Sequence, residues 1–376
     1  MPRPRRPLRL ACAVGLAGLA LAGCTGAPGT ATSVPTSPTS PTSPTSTAGS
    51  EPTQPVPSGS AGARSPATPA SPRPAATTVS PAPPTTAPNP VSIQALIDRN
   101  YDGSGLTLGA ERGSTSAYRQ YYATYRGDGL TISGRINIPR GKGPFPAVVL
   151  AHGYVDPLEY TNGQTMLRER DYLARQGYVT LHVDYRNHAR SSKDPQDESE
   201  LRLGYTVDTI NAALALKQEP RVDPDRIALV GRSMGGGVVY NALVVRPGLF
   251  KAAVAYAPVS SDAVDNFDRW VRPVRSRSKV ADAVIARLGT PEQQPANWAA
   301  VSPRTFFARI QDPLMIHHGT ADEECPIAWS QQTVAALKAA GKTVSYYVYP
   351  GQQHTMTSQW PLSIRRSEAF IAKHLD

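Results

Sequence analysis

Three residues carry the chemistry that this sequence can do: Ser233, Asp322 and His354. Ser233 stands in Gly231-Arg232-Ser233-Met234-Gly235, directly after the apolar run Ile227-Ala228-Leu229-Val230. Gly-x-Ser-x-Gly between a strand and a helix is a sharp turn that lifts a serine above a sheet edge. Bulky neighbours at 231 and 235 would clash there, so glycine fits both positions. The turn also leaves the Met234 amide free at a helix N-terminus, where it can hold an oxyanion. A serine hydroxyl is a weak nucleophile until a base takes its proton, and the base needs a carboxylate to orient it. Both partners follow in that order. Leu314-Met315-Ile316-His317-His318-Gly319-Thr320-Ala321-Asp322 reads as a strand whose turn presents Asp322. Tyr346-Tyr347-Val348-Tyr349-Pro350-Gly351-Gln352-Gln353-His354 reads as the next strand and a loop that presents His354. Taken alone, Asp322 could be a turn or cap aspartate and His354 a loop histidine. Glu323 and Glu324 compete for the acid role, but they already lie in the approach to a helix, so Asp322 is preferred. Cys325 reads as a packing residue and His317 as a structural one.

A second oxyanion donor is expected from the loop after Phe145–Ala151, at His152-Gly153-Tyr154. Gly153 lets the backbone come close, and the Tyr154 amide pairs with that of Met234. The Tyr154 side chain is placed beside the pocket.

The elements that must position these residues alternate in type. Strands are predicted at Gln120–Arg126, Leu130–Ile138, Phe145–Ala151, Tyr178–Asp184, Arg226–Val230, Ala252–Ala257, Leu314–His317 and Val344–Tyr349. Helices are predicted at Gln164–Gln176, Leu201–Lys217, from the turn after Ser233 to Val245, Ile327–Ala340 and Pro361–His374. Gly127-Asp128-Gly129 marks a hairpin. Strands that alternate with helices predict an α/β fold with a mainly parallel sheet covered by helices on both faces. Residues 260–309 break the rhythm and read as a cap insertion over the strand ends, where sites of such sheets lie. Its Trp270 and Trp298 are candidate pocket residues, with arginines around them.

The N-terminal quarter is of another kind. Arginines precede an apolar stretch, Leu10 to Ala22, that is too short for a permanent span. It closes as Leu21-Ala22-Gly23-Cys24, which resembles the lipobox of bacterial lipoproteins. That resemblance implies a signal peptide over 1–23, acylation of Cys24 and a domain anchored to the outer face of a bacterial membrane. Residues 24–90 are rich in Pro, Ser and Thr, with 17 of the chain's 37 prolines between Pro28 and Pro90. Such a stretch cannot bury enough apolar surface to fold, and reads as a disordered tether. Residues 91–376 are then one domain with a full core.

The formal net charge of +10 falls to about +6 once the leader arginines are set aside. The rest is scattered arginine without aromatic interleaving, which excludes nucleic acid as a partner. No C-x-x-C or H-E-x-x-H spacing calls for a metal, and acyl transfer by a serine needs no cofactor.

From about Ala123 to Asp376 the chain resembles the α/β-hydrolases, in particular the catalytic domain of prolyl-oligopeptidase-like serine hydrolases. The resemblance rests on His152-Gly153-Tyr154, Val183-Asp184-Tyr185-Arg186, Gly231-Arg232-Ser233-Met234-Gly235-Gly236, His318-Gly319-Thr320-Ala321-Asp322 and Gly351-Gln352-Gln353-His354. It implies Ser233 as nucleophile, Asp322 as acid and His354 as base. Two departures stand out. A tether occupies the place of the N-terminal β-propeller usual in peptidases of that family. Asn187-His188-Ala189 replaces the Gly-His-Gly common after the Asp-Tyr-Arg segment. The expected activity is hydrolysis of an ester or a short peptide. The rival from another class is a binding protein on a hydrolase fold.

Overall fold

The computed structural model describes residues 89–376. The leader, Cys24 and all but the last two residues of the expected tether lie outside the described residues. Among the described residues no helix is long and apolar enough to cross a membrane.

A nine-stranded sheet in the order β1-β2-β3-β5-β4-β6-β7-β8-β9 forms the centre. The strands are β1 (Ser104–Ser114), β2 (Tyr118–Gly127), β3 (Leu130–Pro139), β4 (Phe145–Ala151), β5 (Val179–Val183), β6 (Val222–Arg232), β7 (Ala252–Tyr256), β8 (Leu314–Gly319) and β9 (Val344–Tyr349). The pairs β1–β2, β2–β3 and β3–β5 are antiparallel, and the rest are parallel. β5, β7 and β8 are buried at every position, as strands between two helical layers should be. The hairpin between β2 and β3 turns on Asp128 and Gly129, both at positive φ (56° and 72°), which suits the right-handed twist of the strands.

Helices α1 (Ile93–Asp98), α2 (Leu167–Arg175), α3 (Gly204–Leu216), α4 (Met234–Val245), α5 (Ala263–Trp270), α6 (Ser278–Leu288), α7 (Pro295–Ala300), α8 (Ile327–Ala339) and α9 (Trp360–Leu375) complete the described fold. The 260–309 interval holds α5, α6, α7 and a 3-10 turn at Pro303–Arg309. Outside the cap, two of these strands and helices escape the sequence reading. β1 carries few apolar residues and three glycines, and most of it is exposed at the sheet edge. α1 has only two buried residues, Ile93 and Leu96. The helix expected from Gln164 starts later, because Thr165 and Met166 take positive φ (66° and 45°) and break the first turn.

The chain leaves β4 for β5 on one side, then jumps across β4 to β6 on the other. Loops that leave adjacent strands in opposite directions open a crevice at their C-terminal ends. His152-Gly153-Tyr154 and Ser233 stand at that crevice.

Candidate active site

Ser233 has φ 57° and ψ −120°, a conformation that costs energy for any residue with a side chain. The surrounding contacts hold it there. The Ser233 amide donates to Tyr256 O (2.9 Å), and the Ser233 carbonyl accepts from Gly236 and Val259 (2.9 and 3.1 Å). The flanking glycines are forced: a Cβ on Gly231 would meet Gly235 O at 2.2 Å, and one on Gly235 would meet Ala151 O at 1.9 Å. A Cβ on Gly153 would stand 3.1 Å from Ser233 Cβ, so the loop after β4 passes directly beside the serine. Neither the Met234 nor the Tyr154 amide donates to another group among the described residues. Two free amides beside one serine are what a developing oxyanion requires.

The loops after β8 and β9 are laced together. Thr320 N donates to Tyr349 O (3.0 Å), Ala321 N to Gln352 O (3.0 Å) and Gly351 N to Thr320 Oγ1 (2.8 Å). This lacing sets His354 Nδ1 at 3.0 and 2.9 Å from the two carboxylate oxygens of Asp322. The Asp322 side chain is fully buried. It also accepts from the amides of Glu324 (3.0 Å) and Cys325 (2.8 Å). Burial pushes its pKa up, but hydrogen bonds from His318 and His354 outweigh that and hold the carboxyl well below the usual carboxylate range. The Glu323 and Glu324 residues are exposed, and Glu323 reaches only the His354 amide (3.4 Å). The Ser233 hydroxyl and His354 are not hydrogen-bonded to each other.

The two histidines of β8 face opposite ways, as neighbours on a strand must. His317 is buried between α9 and β9, stacked on Tyr256 and Tyr347, with Ser367 Oγ 2.9 Å from Nε2 and Tyr349 OH 2.7 Å from Nδ1. Burial lowers its pKa to about 3. His318 faces the site. Its Nε2 lies 3.1 Å from Asp322 Oδ2 and 2.9 Å from Cys325 O, and its Nδ1 lies 2.6 Å from Ser330 Oγ. Both neighbours of Nε2 are acceptors, so Nε2 carries the proton and Nδ1 accepts from the Ser330 hydroxyl. Asp322 is thus gripped by two histidines. The sequence reading missed His318; its signal was its place four residues before Asp322 on a strand whose other histidine points away.

A third support reaches His354 from below. Arg232 donates to His354 O (3.3 Å) and pairs with the buried Glu169 (2.6 Å), which also accepts from Trp360 Nε1 (3.0 Å). Cys325 is buried, and burial pushes its thiol up to about 12, against the pull of the Ser233 hydroxyl.

The loop after β4 rests on an aromatic stack. His152 lies against Tyr160, His182 and Tyr185 at ring distances of 4.8, 5.3 and 4.4 Å. Burial, with His188 nearby, lowers the His152 pKa to about 3, so it is a neutral spacer and not a base. Asp184 collects the Ser133 and Tyr160 hydroxyls (2.6 and 2.7 Å) and the Gly163 amide (2.9 Å). Arg186 forks onto the buried Asp208. The Asp-Tyr-Arg segment is therefore scaffold for the crevice.

The two tryptophans separate. Trp298 is only 1% exposed; it packs on Phe267 inside the cap and donates to Gly289 O (3.1 Å). It reaches a cleft of about 410 Å³ lined by Asp262, Glu292, Pro295 and Arg304, which contains none of Ser233, Asp322 and His354. The expectation that Trp298 borders the serine pocket is corrected accordingly: it is a core residue of the cap. Trp270 is half-buried under Arg269, whose guanidinium donates to Glu324 O and Glu323 O (2.7 and 2.8 Å). Trp270 thus lies beside the loop that carries Asp322.

Sheet order, elbow and strand-end residues define an α/β-hydrolase fold. Solved structures agree: an acylaminoacyl peptidase of Pyrococcus horikoshii superposes with TM-score 0.55 at 20% identity, covering 70% of this chain and 42% of that one. An acetyl xylan esterase of Thermoanaerobacterium gives 0.52 at 19%, covering 72% and 92%. The chain belongs to the prolyl oligopeptidase family, whose model matches residues 164–376. Similar sequences include an uncharacterized peptidase of Bacillus subtilis, 28% identical over 63% of this chain and 35% of that protein. A cutinase of Thermobifida fusca is 28% identical over 48% of this chain and 52% of its own. The chain spans between 28% and 35% of the length of the first three curated relatives.

Proposed function

We propose that this protein is a serine hydrolase that cleaves esters and small peptide amides through an acyl-enzyme. The observation that carries the reading is the buried Asp322 carboxylate bonded to His354 Nδ1 at 2.9 Å, beside a serine at φ 57° and two free amides. Ser233 Oγ attacks the carbonyl carbon and its proton passes to His354 Nε2. The oxyanion rests on the Met234 and Tyr154 amides. Collapse expels the alcohol or amine, which takes the proton from His354. Water then attacks the acyl-enzyme along the same path and frees the acid. Asp322 keeps the imidazole in the required tautomer and offsets its charge.

Peptidases and esterases both occur among the relatives, and this machinery serves both. The cap can roof a pocket but is too small to build a filtering chamber, and Tyr154 stays 40% exposed at the mouth. This favours small substrates. Activated esters should turn over faster than matched amides, because a good leaving group asks least of positioning. The leader and Cys24 support an enzyme exported and held by a lipid anchor on the outer face of a bacterial membrane, its domain carried on the 24–90 tether.

The test is reaction with a fluorophosphonate probe together with hydrolysis of 4-nitrophenyl butyrate. Wild type should be labelled and active. Ser233→Ala should lose labelling and at least about a thousandfold of turnover, with its fold intact. An unlabelled, inactive wild type would favour a binding protein on a hydrolase fold.

A further inference from the structure

Tyr154 follows Gly153, which passes directly beside Ser233, and its side chain is 40% exposed. Two guanidiniums lie against the Tyr154 ring: Arg202 Cζ at 4.6 Å and Arg277 Cζ at 4.7 Å from its centre. Arg202 comes from the turn before α3, and Arg277 from the cap, at the residue before α6. Their charges differ in one respect. Arg202 is neutralised by a forked pair with Glu198 (2.8 and 2.7 Å). Arg277 has no carboxylate within salt-bridge distance among the described residues, and no hydrogen bond from its guanidinium. Two other cap arginines do have carboxylates: Arg272 has Asp268 and Glu292, and Arg287 has Glu200; Arg269 is instead engaged by the Glu324 and Glu323 main-chain carbonyls. Arg275 and Lys279, two residues to either side, are exposed and add positive charge.

A guanidinium stacked on an aromatic face keeps its N–H fork free for a planar anion. The ring also limits its rotamers, so less entropy is lost when the anion docks. We propose that Arg277 is the anion subsite of this hydrolase, taking a carboxylate carried by the substrate beyond the scissile carbonyl. This rests on the hydrolase reading and names its substrate class: esters or peptides that bear a free acid. Tyr154 then serves two ends, its amide toward the oxyanion and its ring as the platform for Arg277.

The experiment uses the full chain and two pairs of esters, one pair for each side of the scissile bond. Mono-4-nitrophenyl glutarate is compared with 4-nitrophenyl butyrate, and 4-butyryloxybenzoate with phenyl butyrate. The readout is the ratio of kcat/KM, charged over neutral. Arg277→Gln should lower the ratio about tenfold in at least one pair, and Arg277→Lys by less, since it keeps the charge but loses the fork. Raising the salt concentration should shrink the wild-type ratio and not that of Arg277→Gln. Arg272→Gln, which removes a charge already neutralised, should leave the ratio as in wild type. Ratios within twofold of wild type in both pairs for Arg277→Gln would overturn the subsite while leaving the hydrolase reading intact. A wild type that hydrolyses none of the four esters and resists the fluorophosphonate would overturn both.

Discussion

The loops after β8 and β9 and the cap above them are held by different forces. The loops are fixed by buried hydrogen bonds that each involve a charged side chain: His318 and His354 on Asp322, Arg232 on Glu169 and His354 O. The cap is held by its own apolar centre, Trp298 on Phe267, and by partly exposed arginines at its margins. A buried charged network fixes geometry closely, because any member removed leaves another unpaired. Surface arginines hold weakly and are screened by salt. The proposed triad thus sits on the rigid side, and the proposed anion subsite on the side that can adjust.

The largest effect should come from the rigid side. Asp322→Asn should lower kcat by about 10³–10⁴, since the imidazole loses its tautomer and its counter-charge. His318→Gln should cost less, about tenfold to a hundredfold, because His354 keeps its carboxylate. It should also raise the pKa of the Asp322 carboxyl toward the ordinary carboxylate range, as one of the hydrogen bonds that depress it is lost. Glu323→Gln and Glu324→Gln should stay near wild type. If His318→Gln and Glu323→Gln behaved alike, the grip of two histidines would be of no consequence to catalysis.

Within the cap, Trp298→Ala should destabilise by about 3–5 kcal/mol in chemical denaturation, as a large buried side chain leaves a cavity. Trp270→Ala should cost about 1 kcal/mol of stability and act on KM instead. Equal losses of stability would remove the distinction between a core tryptophan and one beside the acid loop.

The smallest effect lies where the cap meets the body. Arg287 of α6 reaches Gln196 Oε1 (2.8 Å) and Glu200 (3.6 Å), which flank the buried Asp197. Neither carboxylate oxygen of Asp197 has a hydrogen-bond partner. Burial raises its pKa to about 8, with Arg186 and Arg202 pulling it down and Asp208 and Asp194 pushing it up. A carboxyl whose folded pKa lies above the unfolded value stabilises at low pH. That contribution is lost as pH rises from about 4 to about 8. Asp197→Asn should therefore raise Tm relative to wild type by about 2–4 °C at pH 9 and change little at pH 4. An equal shift at both pH values would show that Asp197 is ionised throughout.

The sequence alone determined what local backbone demands determine. Gly231 and Gly235 announce the elbow because no side chain fits beside Gly235 O or Ala151 O. β4 and β7 are legible because strands covered on both faces read as continuous apolar runs. The order of Ser233, Asp322 and His354 at strand ends follows from those boundaries. Tertiary structure decided what depends on which face of an element meets which neighbour. His317 and His318 are adjacent and alike in sequence, and only the direction of β8 sends one into the core and the other to Asp322. Trp270 and Trp298 look equal in a line of residues, yet the fold of α5 onto α7 buries one and leaves the other beside the acid loop. β1 escaped because an exposed edge strand is held by main-chain hydrogen bonds to β2, which leave no mark on side-chain type. Arg277 was one of many cap arginines. Its place on the Tyr154 ring arises from contact between residues more than a hundred positions apart, which no spacing can encode.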